Sequence, residues 1–315
     1  MQEDFRGAFR PALKRSYSVC SNPAVNLILR RSISGALRRT CLSLLELASR
    51  SGVAYAALDT LVGKPWRHIH ATRSRLQHLE ESRQAIAEMI SDHKVRHGPF
   101  KGMQYPFLDS VGSTLFPKLL GSYERELHDT LQSLLPQSYD CLIDIGCGEG
   151  YYAVGIGMRI PSLPVYAFDC NHRARQLTET LSSANKVSLS VEGCCTPPAL
   201  ERLASGSRAL IISDCEGYEM ELFENTSIEG MAQADLLIEC HNGVDPNTTD
   251  YLVRRFSATH QCVVIEALSD YKRGRDTRAP ELERLSLGKR IRILAEMRHP
   301  ATEWLVCRSR DHSLA

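Results

Sequence analysis

The stretch Asp144-Ile145-Gly146-Cys147-Gly148-Glu149-Gly150 decides how the rest of this chain is read. It follows a short apolar run at 141–145 and leads into a helical pattern. Glycines between a strand and a helix let the backbone turn sharply and approach a ligand closely. The dinucleotide fingerprint is G-x-G-x-x-G, whose third glycine, counted from Gly146, would fall on Tyr151. The spacing here is G-x-G-x-G, with Asp144 two residues ahead of the first glycine. An acid so close to the turn repels a pyrophosphate and favours a cation. A glycine turn alone can be a purely structural device, so the neighbouring strands decide.

The spacing resembles the first motif of class I methyltransferases that use S-adenosyl-L-methionine (SAM). That ligand has no pyrophosphate but carries a sulfonium cation and an ammonium group, so an acid beside the turn makes chemical sense. Asp144, Gly146, Gly148 and Gly150 are therefore the expected cofactor turn. The next apolar run ends at Asp169, 25 residues after Asp144. An acidic residue at about this distance holds the ribose hydroxyls in Rossmann-like sites. Asp169 would otherwise be a helix cap. The third run is followed by Glu192, placed to reach an adenine amino group.

Further on, a fourth apolar run enters Ser213-Asp214-Cys215-Glu216-Gly217-Tyr218-Glu219, and a fifth enters Ile238-Glu239-Cys240-His241-Asn242. Ligand sites of parallel sheets form at the carboxyl ends of strands near the switch point, so the two clusters should converge. Four ionisable groups from adjacent strands (Asp214, Glu216, Glu239 and His241) exceed what capping requires. Mutual burial should push their proton affinities apart. Glu219 reads instead as a first-turn acid favouring the helix's positive end, and Glu216 fits either role.

D-x-E-G-x-E followed by a strand ending in E-x-H resembles the FkbM-type methyltransferases, over residues 140–267. The resemblance implies SAM dependence and O-methylation of sugars or other secondary metabolites. It places Asp144, Gly146, Gly148 and Asp169 along the cofactor, with Asp214 beside it, and Glu216, Glu239 and His241 toward a small-molecule or glycan acceptor. Two departures are Cys-Gly-Glu in the first motif, where the family often has Ala and Asn, and an N-terminal extension outside the pattern. His241, whose ordinary pKa lies near neutrality, is the expected general base, oriented by Glu239 or Glu216. The alternative is a divalent metal on Asp214, Glu239 and His241; the reading adopted has no metal. Base methylation of nucleic acid is disfavoured, because no D/N-P-P-Y-like stretch follows the fourth strand and Pro197-Pro198 follow the third. Rival readings are a noncatalytic Rossmann-like scaffold and an NAD-dependent oxidoreductase.

Strands are expected at 141–145, 165–169, 187–191, 209–213, 236–239, 261–267 and 304–308, mostly separated by helical segments. The expected fold is α/β: a Rossmann-like class I methyltransferase sandwich with a mostly parallel seven-stranded sheet. Before it, helices are expected at 25–50 and 72–95, the latter with Leu76, Leu79, Ile86, Met89 and Ile90 on one face. Gly98-Pro99 marks a boundary, giving a basic, mostly helical extension at 1–98 and the methyltransferase domain at 99–315. A third helix is expected at 113–135, with Pro117 in its first turn and Leu119, Tyr123, Leu127, Leu131 and Leu135 repeating every four residues.

At 315 residues and 43% hydrophobic composition, the chain can bury a core without disulfide staples. Residues 1–75 carry 13 Lys/Arg against 4 Asp/Glu, in a chain of net charge +1. That arm reads as a solvated face or tail, with weak contact to a membrane surface through a basic helix as the other use. The opening residues lack a secretory pattern, and the 11 cysteines read as reduced packing residues of a cytoplasmic protein. No run is long enough to span a membrane. Lys272-Arg273-Gly274-Arg275 with Arg278 reads as a solvated basic loop, or one that closes over an anionic acceptor.

Overall fold

A computed structural model of the protein describes residues 51–299 and 301–311. The chain divides into two compact units, Met1–Leu76 and Gln77–Ala315. The described part of the first holds helix α1 (Gly52–Leu58), one π turn (Asp59–Gly63) and the opening of helix α2 (Lys64–Met89). The basic helix expected at 25–50 lies outside the described residues. Among the described residues, no helix is long and apolar enough to cross a membrane.

The second unit carries the sheet. Its strands are β1 (Cys141–Ile145), β2 (Val165–Phe168), β3 (Ser190–Glu192), β4 (Ala209–Ser213), β5 (Asp235–His241), β6 (His260–Glu266) and β7 (Thr302–Ser309). They lie in the order β3-β2-β1-β4-β5-β7-β6. The first five are parallel, and β7 runs antiparallel between β5 and β6. This is the expected mostly parallel seven-stranded α/β sheet, a doubly wound order in which a returning strand has been inserted before the last position. β1 and β4 are buried along their whole length, as befits central strands covered on both faces. Two apolar clusters fill those faces.

Three boundaries differ from expectation. β3 begins at Ser190 because Val187, assigned to it by sequence, packs against Gly157 instead. The helix expected over 113–135 is two, α3 (Leu115–Leu120) and α4 (His128–Leu134), separated by a bend and a 3-10 turn at Arg125–Leu127. Gly121 ends α3 with φ 81°, and a Cβ there would lie 2.0 Å from the carbonyl oxygen of His97, so no other residue fits. In α2 the buried stripe is His78, Ser82, Ala85 and Ile86, whereas Leu76 and Leu79 are exposed. That stripe belongs to the second unit, so the boundary expected near residue 98 falls inside it.

Helices α5 (Tyr151–Arg159), α6 (His172–Asn185), α7 (Pro197–Ala204), α8 (Glu219–Glu224) and α9 (Thr248–Phe256) connect the strands, and α10 (Asp270–Asp276) and α11 (Leu287–Ile293) precede β7. The basic loop expected at 272–278 is largely α10. Arg273 is buried there, bonded to Glu126 at 2.8 Å and Glu296 at 2.6 Å, so it is a core ion pair and not a solvated charge. The cysteines also need one correction. Cys170 and Cys194 form a disulfide between the loops that follow β2 and β3. The other described cysteines are free, most of them buried.

Candidate active site

The crevice opens beyond the carboxyl ends of β1 and β4, where the strand order reverses. A cavity of about 500 Å³ lies there, within the range of small-molecule sites. Asp144, Gly146, Gly148, Asp169 and Asp214 all line it. Gly146 makes the turn possible: its φ is 80°, and an added Cβ would sit 1.7 Å from the carbonyl oxygen of Asp214. The strand ends of β1 and β4 can therefore approach only through a residue without a side chain. The Gly148 N–H donates to Asp169 at 2.9 Å, joining the turn to the end of β2. Gly150 caps α5 and, although expected in the cofactor turn, does not line the cavity.

Asp144 is buried, and its carboxylate accepts the Ala153 N–H at 2.9 Å. Burial pushes its pKa up to about 7 despite that bond. Glu149, within the turn, is also buried and is not part of the cavity lining. It accepts Lys118 Nζ at 2.6 Å and the Val111 N–H at 3.3 Å. These bonds hold residues 110–113 against the turn, and Val111, Gly112 and Ser113 become cavity wall. Glu192 does not reach the cavity. It ends the short edge strand β3 with an exposed side chain, contrary to its expected place at the adenine.

A second cavity, of about 160 Å³, borders the first. The two share Gly112, Ser113, Tyr123, Asp214 and Glu216 as lining. The smaller one adds Glu239, His241 and Arg298, so all four ionisable groups expected to converge do so. His241 Nε2 lies 3.6 Å from Asp214 and 3.6 Å from Glu216. Its other nitrogen, Nδ1, lies 2.8 Å from Glu219. The expected orienting residue was Glu239 or Glu216; the structure assigns that contact to Glu219. Glu219 is fully buried, and its carboxylate also accepts the Cys215 and Gly217 N–H groups at 3.2 Å each. Burial is the largest single influence and opposes its ionisation, but the His241 bond, the His241 charge and the backbone N–H bonds together hold the carboxyl below its usual range.

Glu239 is engaged elsewhere. Arg298 binds it directly and also bonds to Glu124, to Tyr123 Oη at 2.8 Å and to Glu296 at 3.2 Å. Burial, then Asp214 and Glu124, raise the Glu239 carboxyl well above its ordinary pKa. Asp214 is pushed up to about 6, chiefly by burial. Sequence reasoning missed Glu219 as a partner, Arg298, and the Lys118–Glu149 pair. Glu219 carried a signal in its place in D-x-E-G-x-E, and Glu149 lies within the glycine motif; Lys118 and Arg298 reach the site from remote segments with no motif of their own.

No protein-family model matches the chain, and no curated protein matches it. Among solved structures, it is similar to a precorrin-6y C5,15-methyltransferase from Geobacter metallireducens, with 15% identity and a TM-score of 0.40, covering 62% of this chain and 93% of that one. It is similar to a precorrin 8W decarboxylase from Methanobacterium thermoautotrophicum, with 16% identity and a TM-score of 0.38 over 57% of this chain and 87% of the other. An rRNA methylase from Streptococcus thermophilus shows 12% identity and a TM-score of 0.37 over 59% and 96%. These likenesses are remote; the fold rests on the strand order and the site on its own geometry.

Proposed function

We propose that this chain is a SAM-dependent methyltransferase acting on a hydroxyl of a small-molecule or sugar-containing acceptor. The observation that carries the reading is the pairing of two adjoining cavities through Asp214 and Glu216. The larger, walled by the glycine turn, takes the cofactor. The smaller, at the end of β5, takes the acceptor. Asp144 beside the turn favours a cationic adenosyl ligand over a pyrophosphate, whereas Asp169 suits the ribose of either kind of ligand. Asp169 is the ribose ligand in this reading, although its carboxylate also accepts the Asn171 N–H at 2.7 Å.

When bound, SAM supplies an already activated methyl group, so the protein's own task is alignment. Holding an acceptor oxygen in line with the S–CH₃ bond is worth several kcal/mol of barrier. Bound SAM would supply the methyl group and would leave as S-adenosylhomocysteine, and the acceptor hydroxyl would have to give up its proton. Proton removal in such steps contributes about 10²–10⁴-fold. Asp214, Glu216 and His241, grouped where the cavities join, are the residues placed to promote it.

Calorimetry of the chain with SAM, S-adenosylhomocysteine and NAD tests the reading. Binding of the first two without the third is expected. Binding of NAD alone would indicate a hydride-transfer enzyme, and binding of none a scaffold; either result overturns the proposal. Transfer of a labelled methyl from SAM into a methyl ether would identify the acceptor.

A further inference from the structure

The geometry points to a divalent-cation site formed by Asp214, Glu216 and His241 where the two cavities meet. One ligand atom from each lies within 4.8 Å of the others. The two distances from His241 Nε2, 3.6 Å each, are too long for hydrogen bonds. They suit donors sharing one ion, since ligands each about 2.0–2.1 Å from a cation stand roughly 3–4 Å apart.

Three further observations fit an ion. Glu219 takes the Nδ1 side of His241 at 2.8 Å and is itself pinned by two backbone N–H groups. With the proton on Nδ1, the Nε2 lone pair faces Asp214 and Glu216, the arrangement of a metal-ligating histidine backed by a carboxylate. Asp214 Oδ1, on a side chain 31% exposed overall, is itself shielded from solvent and receives no N–H or hydroxyl hydrogen bond, while the Glu239 carboxyl stands beside Asp214. Burial holds the Glu239 and Glu296 carboxyls of the smaller cavity toward their neutral forms beside Arg298, which leaves Asp214 and Glu216 as the acidic pair facing His241. A cation held between those three groups offsets the repulsion of that pair.

Two carboxylates and one imidazole select a hard or borderline divalent ion such as Mn²⁺, Mg²⁺ or Zn²⁺. The three protein donors leave coordination positions for water or substrate. Glu216, with its side chain 74% exposed, gives the ion a path from solvent. The use of the ion rests on the methyl-transfer reading: it would lower the pKa of an acceptor hydroxyl brought against it. That proton then leaves to solvent, and His241 holds the ion through Nε2. The site itself stands without that reading.

The full chain, stripped with EDTA, is titrated with MnCl₂ while the paramagnetic resonance of free Mn²⁺ is followed. SAM affinity is measured on the same preparations. One Mn²⁺ per chain is expected, with affinity falling at least about 10-fold in Glu216→Gln and His241→Gln, and about 10–100-fold in Glu219→Gln. Glu216→Gln changes an exposed side chain, and circular dichroism confirms the fold of all three. Absence of stoichiometric binding, or binding that the variants leave unchanged, overturns the site. SAM binding without Mn²⁺ removes the ion and spares the methyl-transfer reading. Mn²⁺ binding without SAM does the reverse.

Discussion

Asp144 holds a carboxyl where ionisation is costly, and its titration has two measurable consequences. Its folded pKa, about 7, lies above the unfolded value near 4. Between those values the folded chain keeps a proton that the unfolded chain has lost. Stability contributed by this group is therefore present below about pH 4 and is lost as pH rises to about 7, on the order of 4 kcal/mol. Urea midpoints of the ligand-free protein should fall across that window, and Asp144→Asn should lose that share of the slope. A cationic ligand reverses the sign, because it favours the ionised carboxyl. SAM affinity should thus rise between pH 5.5 and 8 in the wild-type chain and change much less in Asp144→Asn, as read by calorimetry. A rising profile in both proteins would remove Asp144 from the site. Asp144 was readable because it sits in the same short string as the glycines it serves. The Glu219–His241 contact was not, since it depends on how the start of α8 faces the end of β5, and nothing in the spacing sets that.

Among the elements, the glycine turn is the least tolerant of change. Gly146→Ala must place a methyl group against the carbonyl of Asp214 and adopt a left-handed backbone. The left-handed conformation alone costs about 1–2 kcal/mol, and the overlap adds to it. A loss of at least about 2 kcal/mol in urea unfolding is expected, together with loss of SAM binding. Stability within 0.5 kcal/mol of wild type, roughly the effect of a neutral surface change, would contradict the described turn. The alternating strands and helices were legible here because β1, β4 and β5 each hold a short apolar core, at 141–143, 209–212 and 236–238, between polar breaks. The division between α3 and α4 was hidden for the opposite reason. Leu119, Tyr123, Leu127 and Leu131 all bury against the same core, so their four-residue rhythm passes unbroken through the bend at Gly121. β3, short and exposed at the edge, was expected at 187–191 but spans Ser190–Glu192, because its alternating apolar residues fix no boundary.

Across the whole second unit, a buried ionic lattice ties remote segments together. Arg273 of α10 binds Glu126 ahead of α4 and Glu296 ahead of β7, and Arg298 continues the chain of contacts to Glu239 of β5. Removing one member leaves uncompensated charge in a dry interior. Arg273→Met should cost about 3–5 kcal/mol in urea unfolding, and a cost below about 1 kcal/mol would show that the lattice is not maintained. The position of β7 has a consequence for how the chain is made. It fills the gap between β5 and β6, yet residues 302–309 are synthesised after both. While the nascent polypeptide is emerging from the ribosome, the outer edge of β5 waits without its partner, a natural template for wrong pairing. Translation that stalls before residue 302 should thus release a sticky intermediate, one that chaperones must shield until its missing strand arrives.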